Sequence, residues 1–199
     1  MGLRTAQQFL EGIKDGREVY YRGERVASVG DHPELGVAAR HAAIDFEMAE
    51  NPKYRDLAVV HEHGQEFSAF FRVPRGVDHL AQRSKLIEAG TTEGATLVIL
   101  IKEIGTDALF ALRRVLARHK EEEGLARLKA FHQRCQDGDL AMAVAQTDVK
   151  GDRSKRPSEQ NDPDMYVRVV EKRADGIVVR GAKCHTSCTP YVDEVIVLP

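Results

Sequence analysis

The 199-residue chain has only three cysteines, Cys135, Cys184 and Cys188. So small and odd a number excludes a disulfide framework and fits reduced thiols in an intracellular protein. Positive charge is not in excess: 29 Lys and Arg against 31 Asp and Glu leave a formal net charge of −2. That balance argues against a dedicated nucleic-acid binder. The longest apolar run, Ala95 to Ile101, is closed by Lys102 and Glu103 and falls well short of the roughly 20 residues that span a bilayer. The opening Met1-Gly2-Leu3-Arg4-Thr5 has no apolar signal core, and Ala6 breaks the myristoylation pattern that Gly2 would begin. These absences predict a cytoplasmic protein with neither nucleic-acid nor membrane partners. The sequence also has no Walker-type loop, no Gly-x-Gly-x-x-Gly and no nucleophile-elbow serine. A dinucleotide, if bound, must be held by another geometry. There is no internal repeat and no low-complexity segment.

What is present divides in two. Hydrophobic residues make up 42% and charged residues 30%, ordinary for a globular protein with a core. Thr5 with Gln8 resembles a capping box opening a helix through Ile13. Val19-Tyr20-Tyr21 and Arg25-Val26-Ala27 flank a turn at Arg22-Gly23 and read as a hairpin. A helix is predicted from Leu35 to Ala49, stopped by Pro52. Leu57–His61 and Phe67–Val73 fit a second hairpin or an irregular connection. Three helices are expected between Val77 and Gln136. Thr91-Thr92-Glu93 is expected to start the middle one, with Leu97, Leu100, Ile101, Ile104, Ala108, Leu112, Val115 and Leu116 as its apolar set. Asp137-Gly138-Asp139 reads as a linker. Beyond it the valine-rich runs Leu140–Gln146, Met165–Glu171, Ile177–Val179 and Glu194–Leu198 alternate as strands do, with Ala174-Asp175-Gly176 as a hairpin turn. The predicted fold class is α+β: a helical domain over 1–138, then a partial antiparallel β domain over 139–199. Four strands do not easily close a barrel, and the apolar final strand predicts a piece of a larger protein.

Chemistry concentrates at two strand ends. One is Ala145-Gln146-Thr147-Asp148-Val149-Lys150-Gly151-Asp152-Arg153, the other Arg180-Gly181-Ala182-Lys183-Cys184-His185-Thr186-Ser187. Glycine permits close backbone approach to a ligand, and Lys and Arg balance phosphate charge. Read alone, such a loop is also an ordinary solvated connection. Cys184-His185-Thr186-Ser187-Cys188 invites a metal reading, but a second ligand pair is not at hand in the sequence. His61 and His63 fit a polar turn, and His132 with Cys135 fits helix packing.

These two segments resemble the flavin-binding signature of the 4-hydroxyphenylacetate 3-hydroxylase / 4-hydroxybutyryl-CoA dehydratase family. Other segments are similar to it in order along the chain: Arg4–Glu11, Val19–Val26, His32-Pro33, Tyr54–Leu57, Asp162–Tyr166 and Gly176–Lys183. The resemblance implies an acyl-CoA-dehydrogenase-like architecture, with a helical domain, the start of a β-barrel-like domain and a C-terminal helical bundle missing from this chain. It implies FAD as cofactor. Gln146 and Thr147 are expected at the isoalloxazine edge, Lys150, Gly151, Asp152 and Arg153 along the ribityl and pyrophosphate, and Ser187 where the family carries a threonine near the flavin N5. The dehydratase branch holds an iron–sulfur cluster, and the positions of two of its cysteines are Ile99 and Glu103 here; neither supplies a thiolate. The hydroxylase branch binds its phenol through an arginine, a tyrosine and a histidine, which correspond here to Lys102, Thr106 and Val144. Lys102 is thus expected to hold a substrate anion and Thr106 a hydroxyl. The resemblance implies the N-terminal part of a monooxygenase that takes reduced flavin from a separate reductase and hydroxylates a small aromatic substrate. Its alternatives are a cluster-free relative acting on an acyl-CoA, and a non-catalytic piece or half of a split enzyme. Homo-oligomers are expected of the complete protein.

Overall fold

A computed structural model describes residues 2–95 and 101–198. The expected core positions Leu97 and Leu100, the cluster-position Ile99 and the terminal Pro199 lie outside the described residues. Helix α1, Ala6–Gly12, opens as its sequence predicts: Thr5 Oγ1 accepts from the Gln8 amide at 3.0 Å, and Gln8 Oε1 accepts from the Thr5 amide at 2.9 Å. Strands β1, Val19–Tyr21, and β2, Glu24–Val26, pair antiparallel. So do β3, Val59–Glu62, and β4, Gln65–Ser68. Both turns are two residues long with positive φ at each, Arg22 (51°) with Gly23 (86°) and His63 (54°) with Gly64 (76°). That backbone twist matches the strands it joins.

The helix expected over 35–49 forms as α2, Leu35–Ala42, and α3, Ile44–Glu50. The break at Ala43 is slight: its carbonyl accepts from both Phe46 (2.9 Å) and Glu47 (3.0 Å). Asn51 then turns extended (ψ 118°) before Pro52, as a residue preceding proline must. After α4, Arg55–Ala58, and the second hairpin come three long helices: α5, Val77–Glu93; α6, Glu103–Arg118; and α7, Glu122–Gly138. Thr91 and Thr92 do not start the middle helix. They lie in the last turn of α5, where their hydroxyls donate to the Ile87 and Glu88 carbonyls at 2.9 and 2.8 Å. Nor does the 137–139 stretch act as a solvated linker. Asp137 and Gly138 end α7, and Asp139, in the left-handed region (φ 47°), caps it and is buried.

In the β part, β6, Arg168–Lys172, and β7, Ile177–Arg180, form the expected antiparallel hairpin. The expectation of a wholly antiparallel domain is corrected by the other pair. β5, Met142–Ala145, runs parallel to β8, Glu194–Val197. The long connection between them makes the crossover possible. The described residues form two-stranded sheets and no closed barrel.

Two apolar clusters carry the packing. One gathers Met48, Phe70, Phe71, Leu86, Leu109 and Met142. The other gathers Phe9, Phe46, Ile101, Ala143 and Tyr191. Each buried aromatic is worth roughly 1.5–3 kcal/mol of burial, and Phe9 adds a stacked ring on Phe46 at 4.6 Å. Helix α6 lies directly on β5: a Cβ at Gly105 would meet Met142 Cβ at 2.3 Å. No helix among the described residues is long and apolar enough to cross a membrane.

Candidate functional site

Strand β5 ends by delivering Gln146 and Thr147 to the surface, and β7 ends by delivering residues 181–188 beside them. The two segments are laced together. The Cys184 amide donates to the Thr147 carbonyl at 3.1 Å, and Asp148 and Lys183 form an isolated antiparallel bridge. Lys183 Nζ pairs with Asp148 Oδ1 at 2.6 Å and also donates to the Gln146 carbonyl at 3.0 Å. Cys184 Sγ donates to the Asp148 carbonyl at 3.2 Å. The structure therefore brings together the two stretches that the sequence singled out thirty residues apart.

The loop after Val149 is built around a glutamine that sequence reasoning passed over. Gln160 is buried; its Oε1 accepts from the Asp152 amide at 2.9 Å and its Nε2 donates to the Asp152 carbonyl at 2.8 Å. Gly151 sits in the resulting cradle, where a Cβ would meet Met165 Sδ at 2.4 Å and Gln160 Oε1 at 2.6 Å. Lys150, Asp152 and Arg153 are exposed around it. Asp152 accepts from the Ser154 hydroxyl at 2.6 Å, and this bond lowers its carboxyl pKa. Ser187 is exposed, with its amide donating to the His185 carbonyl at 3.1 Å.

Between β5, β7 and β8 opens a concavity of about 440 Å³ lined by Ala145, Val179, Gly181, Thr186 and Val197 among others. Thr186 belongs to the second strand-end segment, although sequence reading assigned it no role of its own. Its hydroxyl oxygen is buried with no hydrogen-bond partner among the described residues, a costly arrangement. The exposed cations Lys150 and Arg153 suit a phosphate and the largely apolar concavity suits a ring system, but none of Gln146, Thr147, Lys150, Gly151, Asp152, Arg153 and Ser187 lines that concavity.

Lys102 and Thr106 are placed elsewhere. Lys102 is fully buried; its ammonium pairs with Asp139 at 2.8 Å and lies 3.7 Å from the centre of the Phe46 ring. Thr106 Oγ1 donates to the Lys102 carbonyl at 2.8 Å and accepts from Arg83 at 2.9 Å. Thr106 is thus engaged inside the helical part, and Lys102 Nζ is buried there with an ionic partner in Asp139 but no hydrogen bond among the described residues. Val144 stands half-buried on β5. The Lys102 amide donates to Asp45 Oδ2 at 3.1 Å, while Asp45 Oδ1 is buried and unpartnered. Burial pushes the Asp45 carboxyl up to about 7 despite the opposing pull of Lys102. Burial also pushes the Cys135 and Cys188 thiols up to about 12, which removes both as ready nucleophiles.

The chain is 32% identical over 203 residues to the 4-hydroxybutyryl-CoA dehydratase/vinylacetyl-CoA-Δ-isomerase of Clostridium aminobutyricum, covering 99% of this chain and 41% of that protein. It is 27% identical over 199 residues to the oxygenase component of 4-hydroxyphenylacetate 3-monooxygenase from Thermus thermophilus, covering 98% of this chain and 40% of that protein. Among solved structures, an archaeal 4-hydroxybutyryl-CoA dehydratase from N. maritimus superposes with a TM-score of 0.85 at 28% identity, covering 99% of this chain and 40% of the other. The FAD complex of a 4-hydroxyphenylacetate 3-monooxygenase oxygenase component superposes at 0.80 with 25% identity, covering 98% and 41%. The chain therefore spans about 40% of the length of these relatives. Residues 5–199 match the family described as 4-hydroxyphenylacetate 3-hydroxylase N terminal, and the chain belongs to that family.

Proposed function

We propose that this chain is the N-terminal, cofactor-loop-bearing part of an FAD-dependent oxidoreductase, a monooxygenase that hydroxylates a small phenolic substrate. The observation that carries the reading is the lacing of 146–148 to 183–184 beside a concavity that Lys183 and Thr186 help to line. In this reading Gln146 and Thr147 hold the flavin edge. Lys150 and Arg153 balance pyrophosphate charge while Gly151 and Asp152 shape the loop, and Ser187 supplies a hydroxyl near the reactive ring. Bound FAD supplies the oxygen chemistry; the protein's residues hold it, orient it and exclude water. Lys102 and Thr106 serve as positioning residues, since Asp139 and Arg83 already engage them. Reduced flavin from a separate reductase, assembly into homo-oligomers and a division at residue 138 belong to the same reading.

The identity and fold likeness to the dehydratases favour a second reading, a cluster-free relative acting on an acyl-CoA. The full-length polypeptide carrying this segment separates the two. Oxygen uptake that requires both reduced FAD and a phenol supports the monooxygenase. Oxygen-independent turnover of a hydroxyacyl-CoA supports the alternative.

A further inference from the structure

A second site stands apart from the cofactor loops. The β3–β4 hairpin and α7 enclose a cleft of about 300 Å³. Arg72, Arg75, Arg113 and Lys129 line it with a single carboxylate, Glu62. Arg72 already occupies that carboxylate at 2.6 Å. Among the described residues, Arg75, Arg113 and Lys129 make no ion pair. They come from three separate elements: the segment before α5, helix α6 and helix α7. The tertiary fold, and no single basic run, gathers them, on a chain whose net charge is −2. Unneutralised like charges in a concavity repel one another and concentrate counter-ions. His132 at the cleft does not add to the charge: burial and the neighbouring Arg113 both lower its pKa.

The cleft does not end at Arg113. Arg113 and Val73 also line an adjoining trough of about 500 Å³ between α5 and α6. Its walls are Leu80, Pro74, Phe110 and Ala111, and its one carboxylate, Asp107, is paired with Arg83 at 2.8 Å. Leu80 is 55% exposed there. A strongly basic cleft meeting an apolar trough at a shared arginine matches a ligand that is anionic at one end and apolar along its body. We propose that this continuous surface binds an organic phosphate ester, with the phosphate among Arg75, Arg113 and Lys129 and the apolar body against Leu80 and Phe110. Two or three charge-assisted hydrogen bonds fix the head, and burial of the body adds affinity in proportion to its area. None of these residues lines the concavity beside the cofactor loops, so the inference stands independently of the flavin reading.

The test is calorimetric titration of the chain with decyl phosphate below its micellar concentration, with inorganic phosphate and decanol as separate arms. Decyl phosphate is expected to bind saturably, about tenfold or more tighter than either simpler probe. Arg113→Ala/Lys129→Ala is expected to weaken it by about tenfold or more, and Arg113→Lys/Lys129→Arg to retain most of it. Leu80→Asp is expected to weaken decyl phosphate while leaving inorganic phosphate unchanged. Equal affinity for wild type and the alanine double variant, with unchanged helical circular dichroism, overturns the proposal. So does decyl phosphate binding no tighter than inorganic phosphate. FAD titration of the same samples should be unaffected by these substitutions.

Discussion

Asp45 is the residue whose chemistry is least ordinary. It is buried beside Lys102, Asp139 and Cys188, and its carboxyl is raised to about 7 chiefly by desolvation. In the unfolded chain it titrates near the ordinary carboxylate value of about 3.9. Between these values the folded state holds a proton that the unfolded state has released, so this group's stabilisation is complete below about pH 4. It is lost as pH rises to 7. Asp45→Asn should flatten the decline of stability across that window, by on the order of 1 kcal/mol per pH unit, in denaturant titrations at a series of pH values. Thr186→Val tests the unpaired hydroxyl. Stability of the chain should stay level or rise slightly in denaturant titrations, because valine removes a buried hydroxyl that has no partner among the described residues. Neither Asp45 nor Gln160 was legible in the sequence, and Thr186 was legible only as part of its segment. An acid, an amide and a hydroxyl look alike on a surface and in a core until partners distant in the chain surround them. Gly151 was legible as a site of close approach, because glycine's lack of a Cβ is itself the signal. The structure supplied what approaches it, Gln160 and Met165.

At the scale of elements, the N-terminus is tied into the α7–β5 junction by one arginine. Arg4 donates from Nε and Nη2 to the Asp139 carbonyl at 3.0 and 2.8 Å, and forks onto Asp193 at 3.2 and 2.6 Å. Asp193 in turn accepts from the Ala141 amide at 2.7 Å, just before β5. Arg4→Ala leaves one mostly buried carboxylate, Asp193, and the Asp139 carbonyl short of a donor, and should cost about 3 kcal/mol in urea unfolding. Arg4→Lys should recover only part, because an ammonium cannot reproduce the fork. Gly151→Ala should displace Gln160 from the 150–160 loop and weaken FAD, with little effect on the helical part. The hairpins turning at Gly23 and Gly176 were readable because glycine marks turns that few other residues serve, whereas the stretch that became β3 and β4 read equally as a hairpin or an irregular connection. The start of the middle helix was misread. Threonine's cap-like hydroxyls point back to carbonyls four residues earlier, inside α5. The parallel pairing of β5 with β8 was not readable, since a strand's own pattern does not say in which direction a distant partner runs.

For the whole molecule, family membership and the ordered helical-then-β layout were accessible from residues alone. The laced strand ends bring 146–148 beside 183–184. The proposed function requires this surface to hold FAD. The most direct measurement is a fluorescence titration of the 199-residue chain with FAD, alongside Lys150→Ala/Arg153→Ala. The account predicts saturable binding that the double variant weakens about tenfold or more, as the loss of two charge-assisted phosphate contacts requires. A folded chain that binds no FAD, or binds it equally well without Lys150 and Arg153, would contradict it.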